Sequence, residues 1–122
     1  MAGERLEFCR SLPKAELHAH LHGSIRKSTA LELLEADGTS TPEKHKLLTD
    51  TAVNIDTAFP IFGIFHSVVT NVDRVYRITK ETLEDYDNDN TRYMEIRTTP
   101  RGNENMTKDE YLQAVCKGIK EH

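Results

Sequence analysis

Tryptophan is absent from this 122-residue chain, and cysteine occurs only twice. Cys9 and Cys116 are too few and too far apart for a disulfide scaffold or a cysteine zinc site. They suit a reducing compartment such as the cytosol, where free thiols are the norm, so a cytoplasmic location is expected. No apolar run approaches the roughly 20 residues of a membrane span. The N-terminus also lacks the apolar stretch of a secretory signal, so no membrane partner is expected. The net charge of -4 has the wrong sign for a nucleic-acid surface, and no nucleic-acid partner is expected. Hydrophobic residues make up 37% and charged residues 30%, enough for one domain with a modest core.

Histidine is what the chain does have. His18-Ala19-His20-Leu21-His22-Gly23 places three imidazoles two residues apart. Strand side chains alternate between faces, so His18, His20 and His22 are expected to point the same way. Neutral imidazole is the commonest metal ligand near neutral pH, and a pair on rigid backbone supplies two ligands at once. Three on one face with no intervening charge favour a metal site over a merely polar strand surface.

The rest of the chain reads as strands alternating with helices. A strand over 15–21 comes after Pro13 and stops at Gly23. Its apolar face holds Ala15, Leu17, Ala19 and Leu21. Ser28 caps a short helix through Leu31 and Leu34 that stops near Gly38. Thr39 to Asn54, broken by Pro42, reads as a loop with at most one helical turn. Asp56 caps a helix whose apolar face is Phe59, Phe62, Phe65 and Val69, with Pro60 in its first turn. A second amphipathic helix runs from Asn71 to about Tyr86, and Asp85 to Asn90 is a solvated connection. Tyr93 to Thr98 alternates as a strand, on which Glu95 and Arg97 share a face and could pair. Thr107 to Glu110 is a capping box opening a helix with Tyr111, Leu112, Val115, Cys116 and Ile119 on one side. This order suggests an α/β fold with parallel strands. Two strands cannot complete such a sheet, so residues 1–122 read as an incomplete domain.

Three segments resemble a known family. Leu12-Pro13-Lys14-Ala15-Glu16-Leu17-His18-Ala19-His20-Leu21, then Gly23-Ser24-Ile25, is similar to the opening signature of the adenosine/AMP deaminase family of metal-dependent hydrolases. Tyr93-Met94-Glu95-Ile96-Arg97-Thr98-Thr99-Pro100-Arg101 resembles the second strand of its adenosine-deaminase-like branch, which deaminates N(6)-methyl-AMP. Phe62-Gly63-Ile64-Phe65-His66 resembles a helical segment of the same branch. The resemblance implies a (β/α)8 TIM barrel of about 250 residues or more, with its site at the C-terminal strand ends. This chain would then be its N-terminal portion, about the first two strand-helix units with extra helices between them.

The resemblance also implies roles. His18 and His20 would be two of the zinc ligands. His20 and His22 would lie against a bound purine nucleotide, and His66 would reach it from its helix. Thr98, Thr99, Pro100 and Arg101 would form a phosphate-side loop, for which hydroxyls and a guanidinium are suited. The implied reaction is hydrolytic deamination, in which zinc-activated water attacks C6 of the purine and an amine leaves. N(6)-methyl-AMP, AMP or adenosine would give IMP or inosine. The remaining ligands and the glutamate acting as general acid are expected beyond His122, so no catalytic residue is assigned within the chain. The chain alone is therefore expected to be inactive. His22 stands where the nucleotide-acting branch usually has Asn. A different class of protein, a non-catalytic zinc- or nucleotide-binding remnant of the fold, is the alternative.

Overall fold

A computed structural model describes residues 1–50 and 54–122. Helix α1 spans Ala2–Ser11, a stretch with no periodic apolar signal. The reason is physical: the helix buries none of its residues, leaving Leu6 and Phe8 exposed. Strand β1, Lys14–His20, comes next, and a 3-10 turn over His22–Ser24 leads into α2, Lys27–Asp37. Arg26, not Ser28, is the residue preceding α2. Its guanidinium is drawn instead to Glu84 and Asp85 on the far side, at 3.0 and 2.8 Å. Gly38 ends α2 as expected, at φ 67, a left-handed conformation open to glycine at little cost.

The expected loop after Gly38 contains a full helix, α3, over Pro42–Thr49. Pro42 starts this helix rather than breaking it, because a first-turn residue needs no N–H partner. Thr41 Oγ1 accepts from the Lys44 N–H at 3.2 Å, and Leu48 carries the helix into the core. The remainder of that expected loop includes residues 51–53, which lie outside the described residues.

Helix α4, Ile55–Val68, is capped by Asn54 and Thr57 reciprocally, not by Asp56. Pro60 consequently lies inside the helix, beyond its first turn. The buried face is Ile61, Ile64, Phe65 and Val68, whereas Phe59 is 71% and Phe62 42% exposed. A helix this rich in apolar residues offers more than one stripe, and only its neighbours choose among them. Helix α5, Val72–Asn88, starts where expected, with Asn71 as its cap, and continues to Asn88, taking in part of the acidic run expected to be a connection. Arg74 ties its start to two neighbours, pairing with Asp37 at 2.6 Å and donating to the Val68 carbonyl at 3.0 Å. Asn90 then turns the chain at φ 59, a conformation asparagine tolerates without glycine.

Strand β2, Thr91–Arg97, pairs in parallel with β1. The register sets Ala19 opposite Ile96 and His20 opposite Arg97. Helix α6, Lys108–Lys120, opens on the predicted capping box between Thr107 and Glu110. It packs on α5 with Tyr111, Ala114, Val115 and Gly118 buried, while Leu112, Cys116 and Ile119 stay exposed. On β1, Ala19 is buried but Leu17 is 58% exposed, so only the C-terminal half of the expected apolar face is covered. The core gathers Leu21 and Ile25 after β1 with α4, α5 and α6. Both strands therefore end against packed helices, which fix the segments just beyond His20 and Arg97.

Candidate functional site

His18 and His20 leave β1 on the same face, and their Nε2 atoms stand 3.1 Å apart. A tetrahedral zinc ion with Zn–N of about 2.0–2.1 Å holds two nitrogens roughly 3.3 Å apart. The pair therefore fits two ligands of one ion. At this distance a neutral ring can also donate an N–H···N hydrogen bond to its neighbour, the direction set by the tautomers. Among the described residues no group of three or more His, Cys, Asp or Glu is arranged to hold a metal, so this chain brings two donors together and not a full set.

His22 does not share that direction. The backbone turns helical at Leu21, φ -55 and ψ -49, and period-2 alternation stops there. The His22 ring folds inward, buried, and stacks on His66 with centroids 4.6 Å apart and 12° between planes. Its Nε2 is buried with no partner among the described residues. Burial first, then the charges of His66 and Arg101, push its pKa down to about 4, so the ring is neutral near pH 7.

His66 lies in the last turn of α4. Arg101 reaches back to it from the loop after β2, donating to its carbonyl at 2.8 Å with the same nitrogen 3.4 Å from Nδ1. Burial, then Arg101, lower the His66 pKa below the usual imidazole value. Thr98, immediately after β2, shares a 2.5 Å hydrogen bond with the Tyr111 hydroxyl of α6.

These residues line one cleft of about 780 Å³. His18, His20, His22, His66, Thr98, Thr99 and Arg101 all face it, whereas Pro100 does not. Phe62 contributes an exposed ring to its wall, a role its place in an apolar helical stripe conceals. Arg97 is a further addition. Glu95, its expected partner, instead accepts from the Tyr93 hydroxyl at 2.9 Å. Arg97 has no ion pair among the described residues and lines the cleft opposite His20. Only the inter-strand register, which the sequence does not display, could have revealed it. No carboxylate lines the cleft among the described residues. The wall chemistry is thus two convergent imidazoles, two stacked imidazoles, and hydroxyls and guanidiniums.

Comparison with known proteins identifies the family and the fold. The family model described as Adenosine deaminase matches residues 13–122. The chain is 37% identical over 121 residues to the N6-mAMP deaminase of Arabidopsis thaliana, covering 94% of itself and 34% of that protein. The apo structure of the N6-methyl-AMP deaminase from Arabidopsis thaliana superposes with a TM-score of 0.84 at 38% identity, over 94% of this chain and 35% of that one. Arabidopsis ADAL complexed with IMP gives a TM-score of 0.80 at 38% identity, over 93% of this chain and 35% of that one. The chain thus spans about a third of the length of the relatives it matches. These residues have the fold of the N-terminal part of a (β/α)8 barrel, with two parallel strands and the helices attached to them. The chain belongs to the adenosine deaminase family.

Proposed function

We propose that residues 1–122 form the N-terminal part of a metal-dependent deaminase barrel domain acting on purine nucleotides, N(6)-methyl-AMP foremost, to release an amine and IMP. One observation carries this reading. Two Nε2 atoms 3.1 Å apart face a cleft that Thr98, Thr99 and Arg101 also line. His18 and His20 would hold zinc, and the chemistry zinc supplies when bound is a water activated for attack near neutral pH. The chain's own residues then do the rest of the binding. Phe62 offers a flat apolar wall for a purine, and the Arg101 guanidinium suits a phosphate. His22 and His66 line the same cleft as neutral, stacked rings. A cytosolic setting accords with two exposed free thiols, Cys9 and Cys116. Among the described residues no helix is long and apolar enough to cross a membrane.

The 122-residue chain by itself is inactive on this reading, since its cleft presents two imidazole donors and no carboxylate to protonate a purine ring. Two measurements test the proposal. The chain with zinc is assayed for methylamine release from N(6)-methyl-AMP, and none is expected. Residues 13–122 are then exchanged for the matching third of the Arabidopsis enzyme. The chimera should deaminate N(6)-methyl-AMP and lose that activity in His20→Ala. A folded but inactive chimera, or turnover by the short chain that survives His20→Ala, overturns the reading.

A further inference from the structure

We infer that Tyr111 is a positioning residue of the cleft: its phenol turns the Thr98 hydroxyl so that Thr98 donates its proton to an oxyanion on the ligand. Tyr111 comes from α6, none of whose residues lines the cleft, and its side chain is 0% exposed behind Thr98. Its hydroxyl has one hydrogen-bond partner among the described residues, Thr98 Oγ1 at 2.5 Å.

Either oxygen could donate in a hydroxyl pair, so the direction must come from what else each can reach. A buried O–H that donates to nothing forfeits its hydration without return, whereas an oxygen lone pair left idle costs less. The Tyr111 proton has no other acceptor among the described residues, and so goes to Thr98. Burial raises the phenol pKa, which keeps that proton in place near neutral pH. Thr98 lines the cleft and has accepted on its inner side. Its own proton is free to turn outward, into the cleft. The acceptor it would meet is set by its neighbours: Thr99 and Arg101 line the same cleft, a donor-rich surface suited to phosphate. The Tyr111 ring also runs nearly parallel to that of His22, 10° between planes at 6.2 Å, so one side chain stands beside two residues that line the cleft.

The positioning role rests on the nucleotide reading of the same cleft, and the phosphate separates the two. Binding of AMP and of adenosine to the 122-residue chain is followed by NMR shift titration. The comparison covers the unmodified chain, Tyr111→Phe, Thr98→Val and the double variant. Tyr111→Phe keeps the ring and removes only the hydroxyl. AMP is expected to bind about fivefold more weakly to each single variant, the scale of one charge-assisted hydrogen bond partly lost, with adenosine unchanged. The double variant should be no weaker than Thr98→Val, because both changes act through one hydroxyl. An unchanged AMP-to-adenosine ratio in Tyr111→Phe, parallel loss of both ligands, or fully additive losses in the double variant would overturn the positioning role alone. Failure of the unmodified chain to prefer AMP over adenosine overturns the nucleotide reading and the positioning role with it.

Discussion

The imidazoles of His22 and His66 lie nearly parallel, 4.6 Å between centroids, although 44 positions of chain and two helices separate them. The contact joins the turn after β1 to the last turn of α4, and Arg101 closes over the same point from beyond β2. Three segments thus meet at one ring pair, and its chemistry has consequences for stability.

Acidification should destabilise the fold. His22 takes up a proton near 6.5 when unfolded but only near 4 when folded. Below 6.5 the unfolded chain binds more protons, so this contribution is fully present above that value and is lost as pH falls toward 4. The loss approaches about 1.4 kcal/mol per pH unit, or at most roughly 3 kcal/mol in all. His66, lowered by burial and Arg101, acts in the same direction. Urea denaturation across this range should show a smaller loss in His22→Asn. An identical slope in the variant would remove His22 as the source.

Zinc binding should depend on both convergent imidazoles. Removing either His18 or His20 leaves one of the two donors seen at 3.1 Å. Isothermal titration should show weak binding by the unmodified chain, reduced at least about tenfold in His18→Ala or His20→Ala. His22→Ala should leave it unchanged, because that ring turns away into the stack. Acid should weaken zinc binding, since ligation requires neutral imidazole. Equal loss in the His22 variant would mean all three rings ligate.

Gly118 sets how closely α6 approaches α5. A Cβ placed there would meet Thr79 Cγ2 at 2.8 Å and Cβ at 2.9 Å. The Thr79 Cβ is fixed to its backbone and cannot rotate away. Alanine in a helix interior normally gains up to about 1 kcal/mol over glycine. Overpacking of this kind costs about 1–3 kcal/mol, so Gly118→Ala should be net destabilising in chemical denaturation. Gly63, with nothing within 4 Å of its added Cβ, is the control and should be neutral or stabilised by alanine. Destabilisation at both positions would point to a cause other than contact with Thr79.

Local signals carry furthest where one residue dictates backbone behaviour. Gly38, Asn71 and the Thr107–Glu110 box each act within one helical turn, and each ends or starts a helix as expected. Pro42 and Asp56 mislead because the same residue types serve inside, outside or at the first turn of a helix. The neighbouring Thr41 and Asn54 are the residues whose oxygens reach the orphan amides. Helix α1 leaves no trace because it has no buried side to impose a period.

The sequence by itself determined the family signature around His18 and His20, their common direction on β1, and the succession of the two strands with α2, α4, α5 and α6, though not α1 or α3. Those properties are local: alternation along a strand and capping within a turn need no partner segment. Tertiary structure alone decided that His22 leaves the metal side to stack on His66. It alone drew Arg97 and Phe62 into the cleft, and set Tyr111 behind Thr98. Each of these depends on the register between β1 and β2 and on which stripe of α4 and α6 is buried. Packing among distant segments chooses those, and no short stretch of sequence contains them.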